Sequence, residues 1–143
     1  MTWIPPKSPY GLVQRQFYDN PWRLLVACIF CNLTKRVQAE PIMWEFFEQW
    51  PTPEAAAAAS EEQIRRLLKP LGLSSRRAHT LVRMSQEYLL KDWQEAKDLY
   101  GIGKYGNSAW MIFCEGKWRE IPRPNDHALA WYHDWLKEKN HAS

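Results

Sequence analysis

The 143-residue sequence predicts one all-α domain built from about eight short helices. Its length lies in the range of about 100–200 residues that is usual for a single domain. Hydrophobic residues make up 45% of the chain and charged residues 24%, so there is enough apolar material for a buried core. Apolar residues recur at helical spacing, and no stretch shows the sustained two-residue alternation of a half-buried strand.

The first two helices are predicted from a cap and from apolar spacing. Asn20 is a good N-cap and Pro21 suits the first helical position, so a helix should begin there and continue through the apolar residues to Thr34. The segment Pro41–Trp50 has its apolar residues at helical spacing, which predicts a second helix that begins at the proline.

Capping residues mark the next two helices, Thr52 with Pro53 and Ser60 with Gln63, and a third helix starts at Ser74 or Ser75. The first of these helices is short and rich in alanine, the second opens with a capping box, and the third runs to about Leu90. Three further helical segments are expected at 93–98, 104–115 and 126–139. Tryptophans spaced as on a helix are expected to lie in the core, namely Trp44, Trp50, Trp131 and Trp135.

Composition and cysteine usage exclude several classes of protein and site. The longest apolar run, Leu24–Cys31, is too short for a membrane-spanning helix. The proline-bearing N-terminus has no basic segment leading into an apolar one, so no secretory signal is expected. Cys28, Cys31 and Cys114 form an odd set, which argues against a disulfide framework and for a reducing compartment. Three cysteines are also too few for a four-cysteine iron–sulfur cluster, and we expect no metal site.

Positive charge is concentrated in one segment, although the net charge of the chain is only +3. Between Ile64 and Gln86 there is no acidic residue, and there are six basic ones: Arg65, Arg66, Lys69, Arg76, Arg77 and Arg83. Such a segment is either a solvated helix face or a phosphate-binding surface. In the second case Arg76 and Arg77 are candidates for contact with DNA.

A glycine-bearing turn between two predicted helices carries the most informative motif. Gly101-Ile102-Gly103 permits a tight turn with exposed backbone N–H groups, and the helix that begins at Lys104 adds the positive end of its dipole. Together these groups suit one nucleic-acid phosphate, while Ile102 would pack into the core. Turns of this kind between helices also serve packing alone, so the spacing leaves both readings open.

These residues bring the sequence close to a known family. Gly101-Ile102-Gly103 followed by Asp126 resembles the hairpin and catalytic aspartate of the helix-hairpin-helix base-excision DNA glycosylases. Further blocks are similar to the catalytic domain of the methyl-CpG-binding-domain thymine glycosylases: Trp3 to Pro9, Leu12-Val13-Gln14, Pro21 to Leu25, Leu67 to Leu73, Gly101 to Asn107 and Tyr132 to Leu136. The resemblance implies that residues 1–143 are a single glycosylase domain without a methyl-CpG-binding domain. The implied fold has about eight to ten short helices in two lobes with the active-site cleft between them.

The resemblance assigns the chemistry to Asp126. Cleavage of an N-glycosidic bond passes through an oxocarbenium-like sugar, which a nearby carboxylate stabilises while it orients water. The alternative role of Asp126 is to cap the helix that begins near His127. Relatives that also cut the DNA strand carry a lysine where this chain has Tyr105, which cannot form a Schiff base, so no lyase activity is expected. Lys104 is turned about 100° away from that direction on the helix.

The resemblance also implies a base pocket and two wedges. Val13, Gln14 and Tyr105 would hold a flipped thymine or uracil, since the amide of Gln14 offers both a donor and an acceptor. Leu33 and Leu73 would fill the space that the base leaves in the duplex. Close relatives have arginine in place of Leu33, and lysine where this chain has Ala128, so one contact to DNA at each position is in question.

The implied function is that of a monofunctional mismatch-specific DNA glycosylase that removes thymine, uracil or 5-substituted uracil opposite guanine, without a cofactor. Its partner would be double-stranded DNA with a G:T or G:U mismatch, and it would act as a monomer in the nucleus, away from membranes. One alternative is a non-catalytic DNA-binding module, which would need neither Asp126 nor Gln14. Another is a glycosylase for a different damaged base, for which the nine tryptophans could supply an aromatic pocket.

Overall fold

The computed structural model describes residues 3–142. Within them the chain forms seven α-helices: α1 (Pro21–Cys31), α2 (Arg36–Gln49), α3 (Pro53–Ala57), α4 (Glu61–Leu68), α5 (Ser74–Leu90), α6 (Lys104–Phe113) and α7 (His127–Ala142). Short 3-10 helices lie at Val13–Phe17, Lys69–Leu71, Ala96–Asp98 and Trp118–Glu120. The described residues contain no strand, and the predicted all-α class is confirmed.

Helix α1 is the central element of the fold. Eight of its 11 residues are buried, as expected of a helix that is apolar on all sides. The side chain of Asn20 accepts a hydrogen bond from the backbone N–H of Arg23 at 3.1 Å, and Pro21 occupies the first turn, so the predicted cap is confirmed. The buried surface of α1 contacts α2, α5, α6 and the Val13–Phe17 segment.

The other helices form two groups that share α1. In the first group α3 and α4 pack against α5, and α2 contacts both α1 and α4. In the second group α6 packs against the Val13–Phe17 segment and α7. A cleft separates the start of α5 from the start of α6, with the end of α1 between them. This arrangement confirms the predicted fold of two lobes.

Helix α2 begins earlier than predicted. Pro41 lies inside the helix rather than at its start, because α2 begins at Arg36. Proline removes the N–H that would bond to the carbonyl of Val37, which usually costs about 3 kcal/mol in a helix interior. Val37 is 78% exposed, so water can reach its carbonyl. An ion pair between Arg36 and Glu40 at 2.7 Å, one turn apart, supports the first turn.

The tryptophans divide between core and surface. Trp50 is buried, and Trp135 is partly buried against the core, as predicted. The prediction is wrong for Trp44 and Trp131, which are 37% and 51% exposed. Trp44 packs one face against the rings of Phe17 and Phe47 and leaves the rest in solvent. Trp131 instead lies close to Tyr10, with their ring centroids 6.0 Å apart.

The three cysteines are free thiols. Burial is the main cause that raises the pKa of Cys31 to about 11 and that of Cys114 to about 12. Among the described residues, no three His, Cys, Asp or Glu side chains are grouped as metal ligands. No helix in the same part of the chain has the length and apolar character needed to cross a membrane.

Candidate active site

A cleft of about 260 Å³ lies where the end of α1, the start of α5 and the start of α6 meet. Its walls include these predicted site residues: Leu33, Leu73, Arg76, Arg77, Gly101, Ile102, Gly103, Lys104 and Tyr105. Three of them carry positive charge, and no carboxylate is among the described residues that line the cleft. Residues from three separate segments of the sequence thus form one cationic surface, which suits an anionic ligand.

The two leucines at the mouth of the cleft have unusual backbone and side-chain positions. Leu33 has φ +63° and is 84% exposed, and Leu73 has φ +50° and is 51% exposed. A left-handed backbone costs an L-residue about 1–2 kcal/mol. Within the described residues these are the two non-glycine positions with positive φ, and they lie at the same cleft. Such strain occurs at functional sites more often than elsewhere.

Arg77 lies beneath the surface of this cleft. It is only 5% exposed, and its guanidinium Nη2 donates to the carbonyl of Asn32 at 2.6 Å and to Oγ1 of Thr34. The prediction that Arg77 belongs to an exposed basic surface is therefore wrong, because it faces the loop that carries Leu33. Arg76 is exposed at the cleft, as predicted.

The hairpin requires glycine at its first position for two reasons. Gly101 has φ +77°, and a Cβ there would lie 2.4 Å from Cγ2 of Thr80 on α5. Ile102 is 8% exposed and packs into the core, as predicted. Gly103 precedes α6 without a side-chain cap on the helix, so the first N–H groups of α6 remain open to a ligand.

Helix α5 and a short 3-10 turn hold the hairpin in place. Glu87 accepts a hydrogen bond from the backbone N–H of Tyr100 at 2.9 Å, and the guanidinium of Arg83 lies over the Tyr100 ring. The helix predicted at 93–98 is reduced to the 3-10 turn Ala96–Asp98, which is closed by a capping box between Glu95 and Asp98. The hairpin therefore rests on a fixed support.

Tyr105 and Gln14 form a hydrogen-bonded pair at the inner side of the cleft. The Nε2 group of Gln14 donates to the Tyr105 hydroxyl. Gln14 is 4% exposed and Val13 is 3% exposed, so the Val13–Phe17 segment brings both residues against the core rather than to the surface. The sequence reading of Gln14 as a site residue depended on resemblance, since glutamine before an apolar helix is usually exposed.

The polar groups around this pair are held in their neutral forms. Burial raises the pKa of the Tyr105 hydroxyl, and nearby Cys28, Cys31 and Asp126 raise it further. Burial also raises the pKa of the Cys28 thiol, which Gln14 partly offsets through a hydrogen bond. At neutral pH Tyr105 can therefore donate its own proton in a hydrogen bond while it accepts one from Gln14.

Asp126 caps α7, as the alternative prediction held. Its Oδ2 accepts a hydrogen bond from the backbone N–H of Leu129 at 3.0 Å, and its carbonyl accepts one from Ala130 at 2.8 Å. Oδ1 has no hydrogen-bond partner among the described residues. Asp126 is not in the cleft wall, but its charge raises the pKa values of Tyr105, Cys28 and Cys31. Its carboxylate therefore lies within electrostatic range of the Gln14–Tyr105 pair.

The chain matches a known family over most of its length. The model for the HhH-GPD superfamily of base excision DNA repair proteins matches residues 26–139. A solved structure of a trapped endonuclease III–DNA covalent intermediate, an estranged-adenine complex, aligns with a TM-score of 0.62 and 17% identity. That alignment covers 83% of this chain and 65% of the other, and at this identity it establishes the fold alone.

Three relatives are similar in sequence. The chain is 40% identical over 136 residues to the methyl-CpG-binding domain protein 4-like protein of Arabidopsis thaliana, an alignment that covers 95% of this chain and 30% of that protein. It is 32% identical to a thymine/uracil-DNA glycosylase of Pyrobaculum aerophilum and 30% identical to a thymine-DNA glycosylase of Aeropyrum pernix. These two alignments each cover 68% of this chain, and 46% and 47% of the relatives. Because the family model spans residues 26–139 and the fold agrees, this chain belongs to the HhH-GPD superfamily of base excision DNA repair proteins.

Proposed function

We propose that this chain is a monofunctional DNA glycosylase that removes thymine, uracil or 5-substituted uracil paired with guanine in duplex DNA. We further propose that it acts as a monomer in the nucleus and that its reaction needs only water as co-reactant. The observation that carries the proposal is the position of Tyr105, which lines the cationic cleft and is also bonded to the buried amide of Gln14. The buried Gln14–Tyr105 pair therefore adjoins a surface suited to phosphate.

The target base would leave the duplex and enter the space beside Val13, Gln14 and Tyr105. A flipped uracil or thymine presents an N3–H donor and two carbonyl acceptors. The amide of Gln14 can match both kinds of group, and the neutral hydroxyl of Tyr105 can donate to a carbonyl oxygen. Because these groups are already bonded to each other and buried, little ordering is needed when the base arrives.

Asp126 would act on the sugar of the flipped nucleotide. Its Oδ2 is fixed by the N–H of Leu129, which leaves Oδ1 to face the developing positive charge or to orient the attacking water. Water then adds to the anomeric carbon as the bond to the base breaks, and the base leaves as an anion with the bonding electrons. The proton that the water loses is taken up by Asp126 and passes to the departed base. Tyr105 lacks the amine that a lyase reaction needs, so the product would be an intact strand with an abasic site.

The remaining cleft residues would bind and distort the duplex. Leu33 and Leu73 project from strained loops and would occupy the stack that the base has left. The hairpin from Gly101 to Gly103 and the start of α6 at Lys104 would hold one phosphate. Arg76 adds an exposed positive charge on the opposite wall.

The proposal is tested by single-turnover excision from G·T, G·U, A·T and single-stranded uracil substrates. We expect excision from G·T and G·U and little from A·T, because the mismatched pair costs less to open. Strand breaks should appear only after alkali, and borohydride added during turnover should trap no protein–DNA adduct. A trapped adduct would contradict the monofunctional reaction, and absence of excision from all four substrates would contradict the glycosylase function.

A further inference from the structure

We infer that Arg77 is a positioning residue that ties the Leu33 loop (residues 32–34) to the Leu73 loop (residues 72–73), which leads into α5. The two leucines would then act on the duplex at a fixed separation. The functional part of this inference rests on the proposed glycosylase function. The structural part does not, because it concerns contacts within the free protein. Arg77 is here assigned to the interior support of the cleft rather than to contact with DNA.

Two side-chain hydrogen bonds carry the inference, and the start of α5 places them. The guanidinium Nη2 of Arg77 donates to the carbonyl of Asn32 at 2.6 Å and to Oγ1 of Thr34, the two residues that flank Leu33. The backbone N–H of Arg77 makes the first helical bond of α5, to the carbonyl of Leu73 at 2.9 Å, so its side chain starts one turn from Leu73. One buried residue thus contacts both strained loops, which are about 40 residues apart in the sequence.

The Leu33 loop has little other support. Its own backbone makes two bonds to α1: the N–H of Asn32 donates to the carbonyl of Cys28 at 3.0 Å, and after Leu33 the N–H of Thr34 donates to the carbonyl of Cys31 through a long bond of 3.5 Å. Within the described residues, Arg77 is the residue of α5 that forms hydrogen bonds with this loop. The side chain of Leu33 is 84% exposed and therefore contributes little packing of its own. Without Arg77 the loop would be free to leave its left-handed conformation.

The position of the Arg77 guanidinium is partly unfavourable for the stability of the fold. Its Nη1 is buried without a hydrogen-bond partner among the described residues, which is a cost to the folded state. Burial also lowers the pKa of Arg77. These features fit a residue that fixes a geometry at some cost in stability.

The test compares Arg77→Met, Arg77→Lys and the control Arg119→Met in the full chain. Arg119 is an exposed arginine outside the cleft, where it lies over the ring of Trp118. Deuterium exchange of the amides at 31–35 and 72–76 reports the two loops directly, without DNA. Single-turnover excision of uracil opposite guanine in a duplex is then compared with excision of uracil in an unpaired bubble, which needs no wedge.

For Arg77→Met we expect faster exchange at 31–35, whereas 72–76 should keep the parent's exchange because the backbone bond to Leu73 remains. Duplex excision should slow about tenfold or more while bubble excision stays within about twofold. Arg77→Lys, which keeps one donor, should restore part of the duplex rate, and Arg119→Met should match the parent in both assays. Unchanged exchange at 31–35 in Arg77→Met overturns the inference, and so does an equal loss on both substrates. If the parent protein excises uracil from neither substrate, the proposed function fails, while the exchange measurement still decides whether Arg77 ties the loops.

Discussion

Leu33 combines two properties that ordinary stability would not favour, a left-handed backbone and an apolar side chain in solvent. Burial contributes almost nothing at 84% exposure, whereas the backbone conformation costs about 1–2 kcal/mol. A residue whose conformation is unfavourable in the free protein has to be useful in another state. In the proposed function that state is the opened duplex, in which the side chain would be buried between bases.

The strain at Leu33 predicts that glycine at this position is more stable than alanine, which reverses the usual order of these two residues. Leu33→Gly should be more stable than Leu33→Ala by about 1 kcal/mol. Glycine adopts φ +63° without strain, whereas alanine at this φ remains strained. Thermal denaturation of the two variants checks the order. A melting temperature of Leu33→Ala equal to or above that of Leu33→Gly would mean that the loop relaxes away from the left-handed conformation.

The same pair of variants separates stability from function. Both should slow excision from a G·T duplex, since both lack the wedge, and Leu33→Gly should do so without loss of thermal stability relative to Leu33→Ala. Single-turnover excision from duplex and bubble substrates measures the effect. Equal effects on the two substrates would show that Leu33 does not act in the duplex stack.

Asp126 offers a second prediction at the residue scale. Asparagine is as good an N-cap as aspartate, so Asp126→Asn should keep the hydrogen bond to Leu129 and the stability of α7. It removes the negative charge, however, and excision should fall by about 10³-fold or more, while binding to the duplex is retained. Parallel measurements of melting temperature, duplex affinity and single-turnover rate test this. A rate within tenfold of the parent would remove Asp126 from the proposed mechanism.

At the scale of single elements, α5 organises the cleft. Leu73 directly precedes it, its first turn leads to Arg77, its middle meets Gly101 through Thr80, and its last turns hold Tyr100 through Glu87. One helix therefore sets both the wedge loops and the hairpin. A rotation of α5 would move all of these groups together, which ties the position of the two exposed leucines to that of the hairpin.

The hairpin allows a prediction with a matched control. Gly101→Ala should destabilise the fold by about 2 kcal/mol or more, because it combines φ +77° with a Cβ only 2.4 Å from Thr80. Gly103 has negative φ and open space around its Cβ position, so Gly103→Ala should keep the melting temperature. The added methyl group should nevertheless weaken duplex binding if a phosphate approaches the start of α6. Denaturation and binding curves of both variants test the two effects separately.

The sequence predicts those elements whose signals are local. The caps at Asn20, Thr52 and Ser60 lie where expected, because a cap is decided by residues within one turn. The sequence does not predict the start of α2, because proline is normally excluded from helix interiors and Pro41 lies inside this one. The positive φ values of Leu33 and Leu73 carry no local signal at all, since leucine is not a residue that favours them.

At the scale of the whole molecule, the candidate site is assembled from distant segments. Gln14 and Tyr105 are 91 residues apart, and Arg77 reaches Asn32 across 45 residues. Residue types alone could not bring them together, so their assignment depended on resemblance to a family whose fold is now established. The burial of Arg77 could not be foreseen, because a run of basic residues is usually exposed and the packing of α1 against α5 decides otherwise.

The distribution of charged residues over the molecule matters more for binding an anion than the net charge does. The net charge is +3, yet Arg76 and Lys104 face one cleft whose described lining contains no carboxylate. Both side chains are exposed, and neither forms an ion pair within the described residues. A phosphate backbone laid across the cleft would therefore meet two uncompensated positive charges, and its condensed counterions would be released on binding.

Salt dependence measures this contribution directly. Each phosphate contact adds about 0.9 to the slope of log affinity against log salt concentration, so Arg76→Gln and Lys104→Gln should each reduce the slope by about one, and the double variant by about two. The loss should be the same for mismatched and fully paired duplexes, because phosphate contacts carry no base information. Lys139→Gln is a suitable control, since its ammonium group lies over the ring of Trp135 on α7 and outside the cleft. If the control lowers the slope as much as the cleft variants do, binding follows the net charge of the protein rather than this surface.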